Sequence, residues 1–191
     1  MFDGRAALRL LVGFLLALAF WYLFSSTYER VVASAAELLL RLAESPAVTR
    51  IDAPGREFIV RRSDFPPSSH LPGLPAPDLH FNFVLLVALF ALDRHPFRGD
   101  QARRFLLGLA CLFAVHVAAL IFQIQRVYAM DLGAWSPAHY GAAARNFWAG
   151  GFHFYQIAGR FAAPFAIWWL ISRGEPEEKP EAPRRRKKKR T

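Results

Sequence analysis

Residues 103–123 read RRFLLGLACLFAVHVAALIFQ, an apolar run that opens with two arginines and contains one histidine, His116. A helix of about twenty apolar residues is long enough to cross the hydrocarbon core of a bilayer, because each residue advances it by about 1.5 Å. The rest of the 191-residue chain has a similar character, with 54% hydrophobic and 15% aromatic residues. The sequence therefore predicts an integral membrane protein.

Three further segments are predicted to span the membrane. Residues 6–24 are apolar apart from Arg9 and end in an aromatic pair typical of the membrane interface. A cleaved signal peptide is the alternative, but no small-residue cleavage pattern follows, which favours a retained span. The second span is assigned to residues 79–97, although its apolar run covers only 79–92 and could be re-entrant. The fourth span is assigned to residues 152–172.

The distribution of charge favours four spans over three. Four spans place the N-terminus, the loop at 93–104 and the C-terminal tail on one side of the membrane. That loop contains four arginines and two aspartates, whereas residues 26–78 balance six arginines against seven acids. Cytoplasmic segments are enriched in Lys and Arg. We therefore predict that both termini are cytoplasmic.

Residues 26–78 are expected to lie at the outer face. The pattern over 28–44 predicts an amphipathic helix, with Val31, Val32 and Leu42 on its apolar stripe and Glu29 on its polar side. Residues 47–62 predict a small β-hairpin, and the prolines of 63–77 argue against a regular element. The predicted fold is an all-α membrane protein: a four-span helical bundle with an outer-face amphipathic helix and a small β-hairpin. It forms one membrane domain over 1–172.

The tail at 173–191 is predicted to be disordered and polybasic. Its seven consecutive bases should attract membrane lipids with anionic headgroups, and nucleic acid is not an expected partner. These bases are Arg184, Arg185, Arg186, Lys187, Lys188, Lys189 and Arg190. The single cysteine, Cys111, excludes an intramolecular disulfide, and no residue spacing indicates a metal site or a cofactor.

Polar residues within the predicted spans collect near the outer face, where they require an explanation because burying them in hydrocarbon is costly. They are His80 and Asn82 in the second span, His116 and Gln123 in the third, and His153, Gln156 and Arg160 in the fourth. The last three are spaced i, i+3 and i+7, which predicts one helical face. His116 and Arg160 lie about 11 Å and about 12 Å below the outer ends of their helices, so they can meet.

Two interpretations of this cluster are open. Hydrogen bonds among the polar side chains could simply join the helices. Alternatively, His153 could act as a general base while Arg160 and His116 bind negative charge, with His80, Asn82, Gln123 and Gln156 completing a binding site. Because the predicted spans contain no acid, Arg160 would depend on neutral acceptors or on an anionic substrate.

The order of these features over residues 26–171 resembles the exosortase/archaeosortase group of membrane proteins. In that group a hairpin leads into a span opened by a catalytic Cys, a later span carries Asn and Arg, and the last opens with His. Here residues 79–83 read LHFNF without a cysteine, and Cys111 lies near the opposite end of another helix. His116 and Ala119 stand where Asn and Arg would align. Within the group, the layout is similar to the exosortase H-associated membrane proteins, companions without the catalytic set.

The resemblance implies a non-catalytic protein of the bacterial inner membrane that assists C-terminal-signal protein sorting or surface export. Its implied partners are an exosortase and the hydrophobic tail of the exosortase substrate. Two other functions are open: a membrane hydrolase or transferase that acts on a lipid-linked anionic substrate through His153 and Arg160, and a small structural or transport subunit. Because a transpeptidase needs a nucleophile, an enzymatic function is not the favoured one.

Overall fold

The computed structural model describes residues 4–65, 73–92 and 99–173, so the predicted bases at 184–190 lie outside the described residues. Helices dominate, with a small sheet between the first and second. In chain order the elements are α1 (Gly4–Ala43), β1 (Thr49–Asp52), β2 (Glu57–Arg62), β3 (Leu74–Pro75), α2 (Pro77–His80), α3 (Asn82–Phe90), α4 (Gly99–Met130), α5 (Trp135–His139), α6 (Ala142–Phe154), a π-helical turn (Tyr155–Gly159) and α7 (Arg160–Ser172).

Helix α1 is one continuous helix of 40 residues, about 60 Å long. The predicted span at 6–24 and the amphipathic helix at 28–44 are therefore not separate elements. The three polar residues between them, at 25–27, contain neither proline nor glycine, so nothing interrupts the backbone hydrogen bonds. The apolar stripe was also partly wrong, because Val32 is buried whereas Val31 and Leu42 are exposed, and Glu29 is buried.

The predicted hairpin is confirmed: β1 and β2 pair antiparallel, with Thr49 opposite Arg62. The prediction that residues 63–77 hold no regular element was wrong at β3, which pairs with β2. Pro75 is tolerated there because an edge position does not require its missing N–H. On the opposite edge, the N–H groups of Thr49 and Ile51 donate to the carboxylates of Glu44 and Glu37, at 3.0 and 2.9 Å. Helix α1 thus covers the free edge of β1.

Helices α1, α3, α4 and α7 pack together and enclose two apolar cores. The smaller consists of Leu86, Phe90 and Leu112. The larger core lies between the sheet and three helices, α1, α2 and α4. Phe58 and Leu120 belong to it and have no solvent exposure. Helix α4 continues well past the predicted limit at residue 123, and its residues Val127 and Tyr128 pack in the core that includes the sheet.

The two ends of the bundle differ in composition. At one end, α1 and α4 begin and α7 ends, and this arginine end carries Arg5, Arg9, Arg103, Arg104 and Arg173. Gly108 of α4 lies against Phe90 and Ile171, and Gly13 of α1 lies against Ala91, so these parts of the helices share one level. The opposite end carries the sheet and is called the hairpin end.

Helices α1 and α4 are long and apolar enough to cross a membrane, with mean hydropathies of 2.1 and 2.6 over their most apolar windows. The apolar helical segment from Pro77 to Phe90 is shorter. The last helical run starts at Ala142, before the predicted position 152, and is divided by the π-helical turn. The count of four spans stays a prediction.

Candidate functional site

The first polar chain of the site runs through His116 and links four helices. The Tyr28 hydroxyl donates to Nδ1 of His116 at 2.6 Å, and Nε2 of His116 donates to Oδ1 of Asn82 at 2.6 Å. The amide nitrogen of Asn82 in turn donates to the backbone carbonyl of Arg160 at 3.0 Å. His116 is completely buried. The structure thus brings His116 and Asn82 together and links them to the backbone, not the side chain, of Arg160.

The Arg160 carbonyl is free to accept from the Asn82 amide because a proline lies four residues after Arg160. In an α-helix the carbonyl of Arg160 would accept from the N–H of residue 164. Residue 164 is Pro164, within α7, and it has no N–H to donate. Asn82 therefore supplies the donor that the helix lacks.

A second polar chain runs through His80. The indole N–H of Trp21 donates to Nδ1 of His80 at 2.9 Å, and Nε2 of His80 donates to a carboxylate oxygen of Glu29 at 3.1 Å. An indole nitrogen can only donate, so Nδ1 accepts and the ring proton lies on Nε2. His80 and Glu29 are both buried. The second carboxylate oxygen of Glu29 has no hydrogen-bond partner among the described residues.

Arg160 has a different partner from those predicted. Its guanidinium donates to Asp78 at 3.0 Å, and its side chain is 27% exposed. The prediction that it would rely on neutral acceptors was wrong, because Asp78 lies one residue before the predicted span and was counted with the outer segment. The pair ties the start of α2 to α7.

The predicted face of His153, Gln156 and Arg160 is not formed. The turn Tyr155–Gly159 is π-helical, and its wider winding breaks the 3.6-residue period on which the i, i+7 alignment depends. His153 is exposed and Gln156 is partly buried. The widened turn instead directs the Tyr155 hydroxyl to the carbonyl of Leu79. Gln123 is buried on α4, but it takes no part in the hydrogen bonds described above through His116 or through His80.

Residues 3–175 match the protein family described as exosortase H-associated membrane protein. The chain belongs to this family. The match covers most of the sequence and confirms the family to which the resemblance pointed. No curated protein and no protein of solved structure matches the chain.

In this exosortase H-associated protein, both ring nitrogens of each buried histidine are engaged. His116 lies between Tyr28 and Asn82, and His80 lies between Trp21 and Glu29. A general base needs a free lone pair within reach of the substrate, and neither ring offers one. The two hydrogen-bonded series through His116 and His80, together with the Arg160–Asp78 pair, join the helices to one another. We call this group the polar junction.

Four members of the polar junction escaped the sequence prediction: Trp21, Tyr28, Glu29 and Asp78. Trp21 and Tyr28 are seven residues apart and Glu29 follows, so a continuous α1 places them on neighbouring faces. That signal became visible only if residues 6–24 and 28–44 were treated as one helix. The proline at residue 164 was a second available signal, because it identifies Arg160 as a carbonyl without a helical donor.

A second polar group of this family member fastens the sheet to α4. The Arg62 guanidinium lies over the rings of Tyr128 and Trp135, 4.7 and 4.8 Å from their centroids, and donates to Asp64 at 2.8 Å. The hydrogen bond from Arg62 lowers the pKa of the Asp64 carboxyl below its ordinary value. Thr49 also shares a hydrogen bond of 2.9 Å with the Tyr128 hydroxyl. We call this group the arginine lock.

Proposed function

We propose that this chain is a non-catalytic membrane partner of an exosortase and supports the sorting or surface export of proteins with a C-terminal signal. The family description supports an association with exosortases. In this proposal the arginine end faces the cytoplasm of a bacterium, and the hairpin end faces outward across its inner membrane, where sorting signals would be received. The arginines outnumber the acids among the described residues of the arginine end, whereas acids balance the arginines of residues 26–78, and this difference agrees with that orientation.

The observation that carries the non-catalytic part of the proposal is the closed hydrogen bonding of His80 and His116. Freeing either ring for proton transfer would leave a buried donor or acceptor without a partner, which costs about 1–3 kcal/mol. The single cysteine, Cys111, is exposed on α4, toward the arginine end from His116. The exosortase-like layout would place a nucleophile at the polar junction, and Cys111 lies away from that position.

The surface proposed to meet the exosortase is an exposed apolar stripe on the C-terminal half of α1. It consists of Val31, Leu38 and Leu42, which are 51%, 60% and 74% exposed. Their spacing of seven and four residues places them on one helical face. Val32, Ala36 and Leu40 hold the other side of the helix against the core.

The length of α1 supports this role for the stripe. A helix of about 60 Å is about twice as long as the hydrocarbon core of a bilayer is thick. If the first turns lie at the cytoplasmic interface, the stripe emerges on the outer side, where lipid tails cannot cover it. An apolar helix face beyond the lipid is suited to the groove or helix of a partner protein.

The test is recovery of the host exosortase with the tagged protein from detergent-solubilised membranes. The stripe variant Leu38→Glu, Leu42→Glu should recover at least about tenfold less exosortase, equivalent to about 1.4 kcal/mol. The matched control is Ser26→Glu, Ala43→Glu, which places the same two charges on exposed positions of the same helix that lie away from the stripe. Its recovery should equal that of wild type.

Two results would contradict the proposal. One is the absence of the exosortase from the wild-type eluate in a host that produces it. The other is equal recovery with the stripe variant and wild type. The hydrolase or transferase alternative predicts instead that His153→Ala, Arg160→Ala abolishes function in cells while the stripe variant does not. No specific observation favours that alternative, since the two side chains do not share a face.

A further inference from the structure

A cleft of about 430 Å³ opens between α1, α3 and α4 near the arginine end. Its walls are formed mainly by Val12, Leu16, Val87, Phe90 and Phe105, and the only charged side chain on it, among the described residues, is Arg9. Its volume lies within the range of about 300–1,000 Å³ that is typical of small-molecule sites. The cleft is therefore a ligand-sized apolar groove with one cation.

The cleft results from the way α1 and α3 meet. At Gly13 the two backbones approach so closely that a Cβ atom would overlap Ala91. Helix α3 ends at Phe90, so among the described residues no further turn of α3 lies beside α1 closer to the arginine end. The ring of Phe105 contributes a wall from α4. The gap is thus a consequence of a short helix packed against a long one.

The single charge lies at the mouth of the cleft. Arg9 is one helical turn nearer the arginine end than Gly13, and Leu16 lies deeper. The Arg9 Nε donates to the backbone carbonyl of Arg5 at 3.3 Å, which holds the guanidinium along its own helix toward the arginine end. A guanidinium binds phosphate oxygens through paired N–H groups, and aliphatic walls bind hydrocarbon.

We propose that this cleft binds an anionic phospholipid, with one acyl chain along Val12, Leu16 and Val87 and the phosphate on Arg9. The orientation follows from the positions of the two chemistries: the cation faces the headgroup layer and the apolar walls extend into the bilayer. The proposal is independent of any exosortase and of the stripe on α1. In this proposal Arg9 binds the phosphate of one specific lipid molecule, whereas an arginine at the membrane surface ordinarily contacts many headgroups in turn.

Native mass spectrometry of the full-length protein in mild detergent tests the proposal. The probes are dioleoylphosphatidylglycerol and dioleoylphosphatidylcholine, which share acyl chains and differ in net charge. Wild type should retain the anionic lipid about fivefold better, as expected for one arginine near the membrane surface. Excess inorganic phosphate should not displace it, because the acyl chain provides much of the binding.

Matched variants separate the two parts of the site. Arg9→Gln should abolish the preference between the lipids, whereas Arg103→Gln, the same change at an exposed position of the same end, should keep it. Val12→Phe should reduce retention of both lipids by filling the cleft. Leu11→Phe, on an exposed position beside it, should not.

Thermal unfolding of each variant shows whether the fold is intact. Equal retention of the two lipids by wild type would overturn the proposal, as would an unchanged preference in Arg9→Gln or unchanged retention in Val12→Phe. Displacement by inorganic phosphate would also overturn it, since it would reduce the site to a simple anion contact.

Discussion

The two ends of the bundle hold the same helices together by opposite means. At the hairpin end, α1, α3, α4 and α7 are joined by buried hydrogen bonds through His116, Asn82 and His80. At the arginine end, they approach through glycines, with Gly13 against Ala91 and Gly108 against Phe90. Membrane helices associate by both routes, since lipid provides little hydrophobic drive between them.

The difference shows where the protein depends on chemical identity and where it depends on size. A hydrogen-bonded junction fails when one partner is removed, because the others stay buried and unsatisfied. A glycine contact fails when a side chain is added, because the backbones are forced apart. The following predictions exploit that contrast.

The largest effect is expected from His116→Ala. It leaves the Tyr28 hydroxyl and the Asn82 amide oxygen without their partner, and should lower the free energy of unfolding by about 3 kcal/mol. The measurement is unfolding in mixed detergent micelles. A combined variant, Tyr28→Phe, Asn82→Leu, His116→Leu, removes the three polar side chains and leaves only the Arg160 carbonyl without its donor, so it should recover part of the loss. If the combined variant is less stable than His116→Ala, the contrast with the apolar end does not hold.

At the arginine end, Gly13→Ala should destabilise the protein by about 2 kcal/mol because the added methyl group overlaps Ala91. The control is Gly150→Ala in α6, where an added Cβ meets nothing within 4 Å. That substitution should be neutral or stabilising by up to about 1 kcal/mol, since alanine favours helix. The same unfolding assay measures both, and equal signs for the two changes would refute the size argument.

A smaller effect is expected where the two kinds of packing meet, at Pro164. Pro164→Ala restores a backbone N–H for the Arg160 carbonyl, so Asn82 no longer supplies its only donor. Asn82→Ala should then cost less in the Pro164→Ala background than in wild type, with a coupling energy of about 1 kcal/mol. A double-mutant cycle of unfolding free energies gives this value. Additive effects would show that the proline does not create the acceptor.

The smallest effect concerns the arginine lock. Because the pKa of Asp64 is lowered in the folded protein, its contribution is present above the ordinary pKa of about 4 and is lost as pH falls through the lowered value. Hydrogen–deuterium exchange of the β1 and β2 amides should differ between wild type and Asp64→Asn at neutral pH and converge in acid. A difference that persists unchanged at low pH would argue against this lock.

The main features of the fold follow from patterns visible in the sequence. The apolar run at 103–123 lies within α4, and alternation around Pro54 and Gly55 marks the pair β1 and β2. The strand β3 was missed because a two-residue strand with a proline has no periodicity to detect. The unbroken α1 was missed because the polar residues at 25–27 resemble a loop, although none of them stops a helix.

For the site, counting residues along helices predicted that His116 and Arg160 lie at one depth, and the structure links His116 to the backbone of Arg160 through Asn82. The same counting failed for His153, because a π-helical turn adds winding that no residue spacing reveals. It also failed for Glu29, because an acid on an amphipathic helix is ordinarily solvated, and only the position of His80 explains its burial. Tertiary contacts, absent from local sequence, decide such cases.

The unbroken α1 fixes the position of the sheet relative to the bundle. Its first half lies in the bundle and its second half holds the sheet through Glu37 and Glu44, so the height and heading of the sheet are set by the number of residues between. One inserted residue would raise the sheet by about 1.5 Å and turn it by about 100°. The height of the sheet above the helix bundle is therefore set by the length of a single helix.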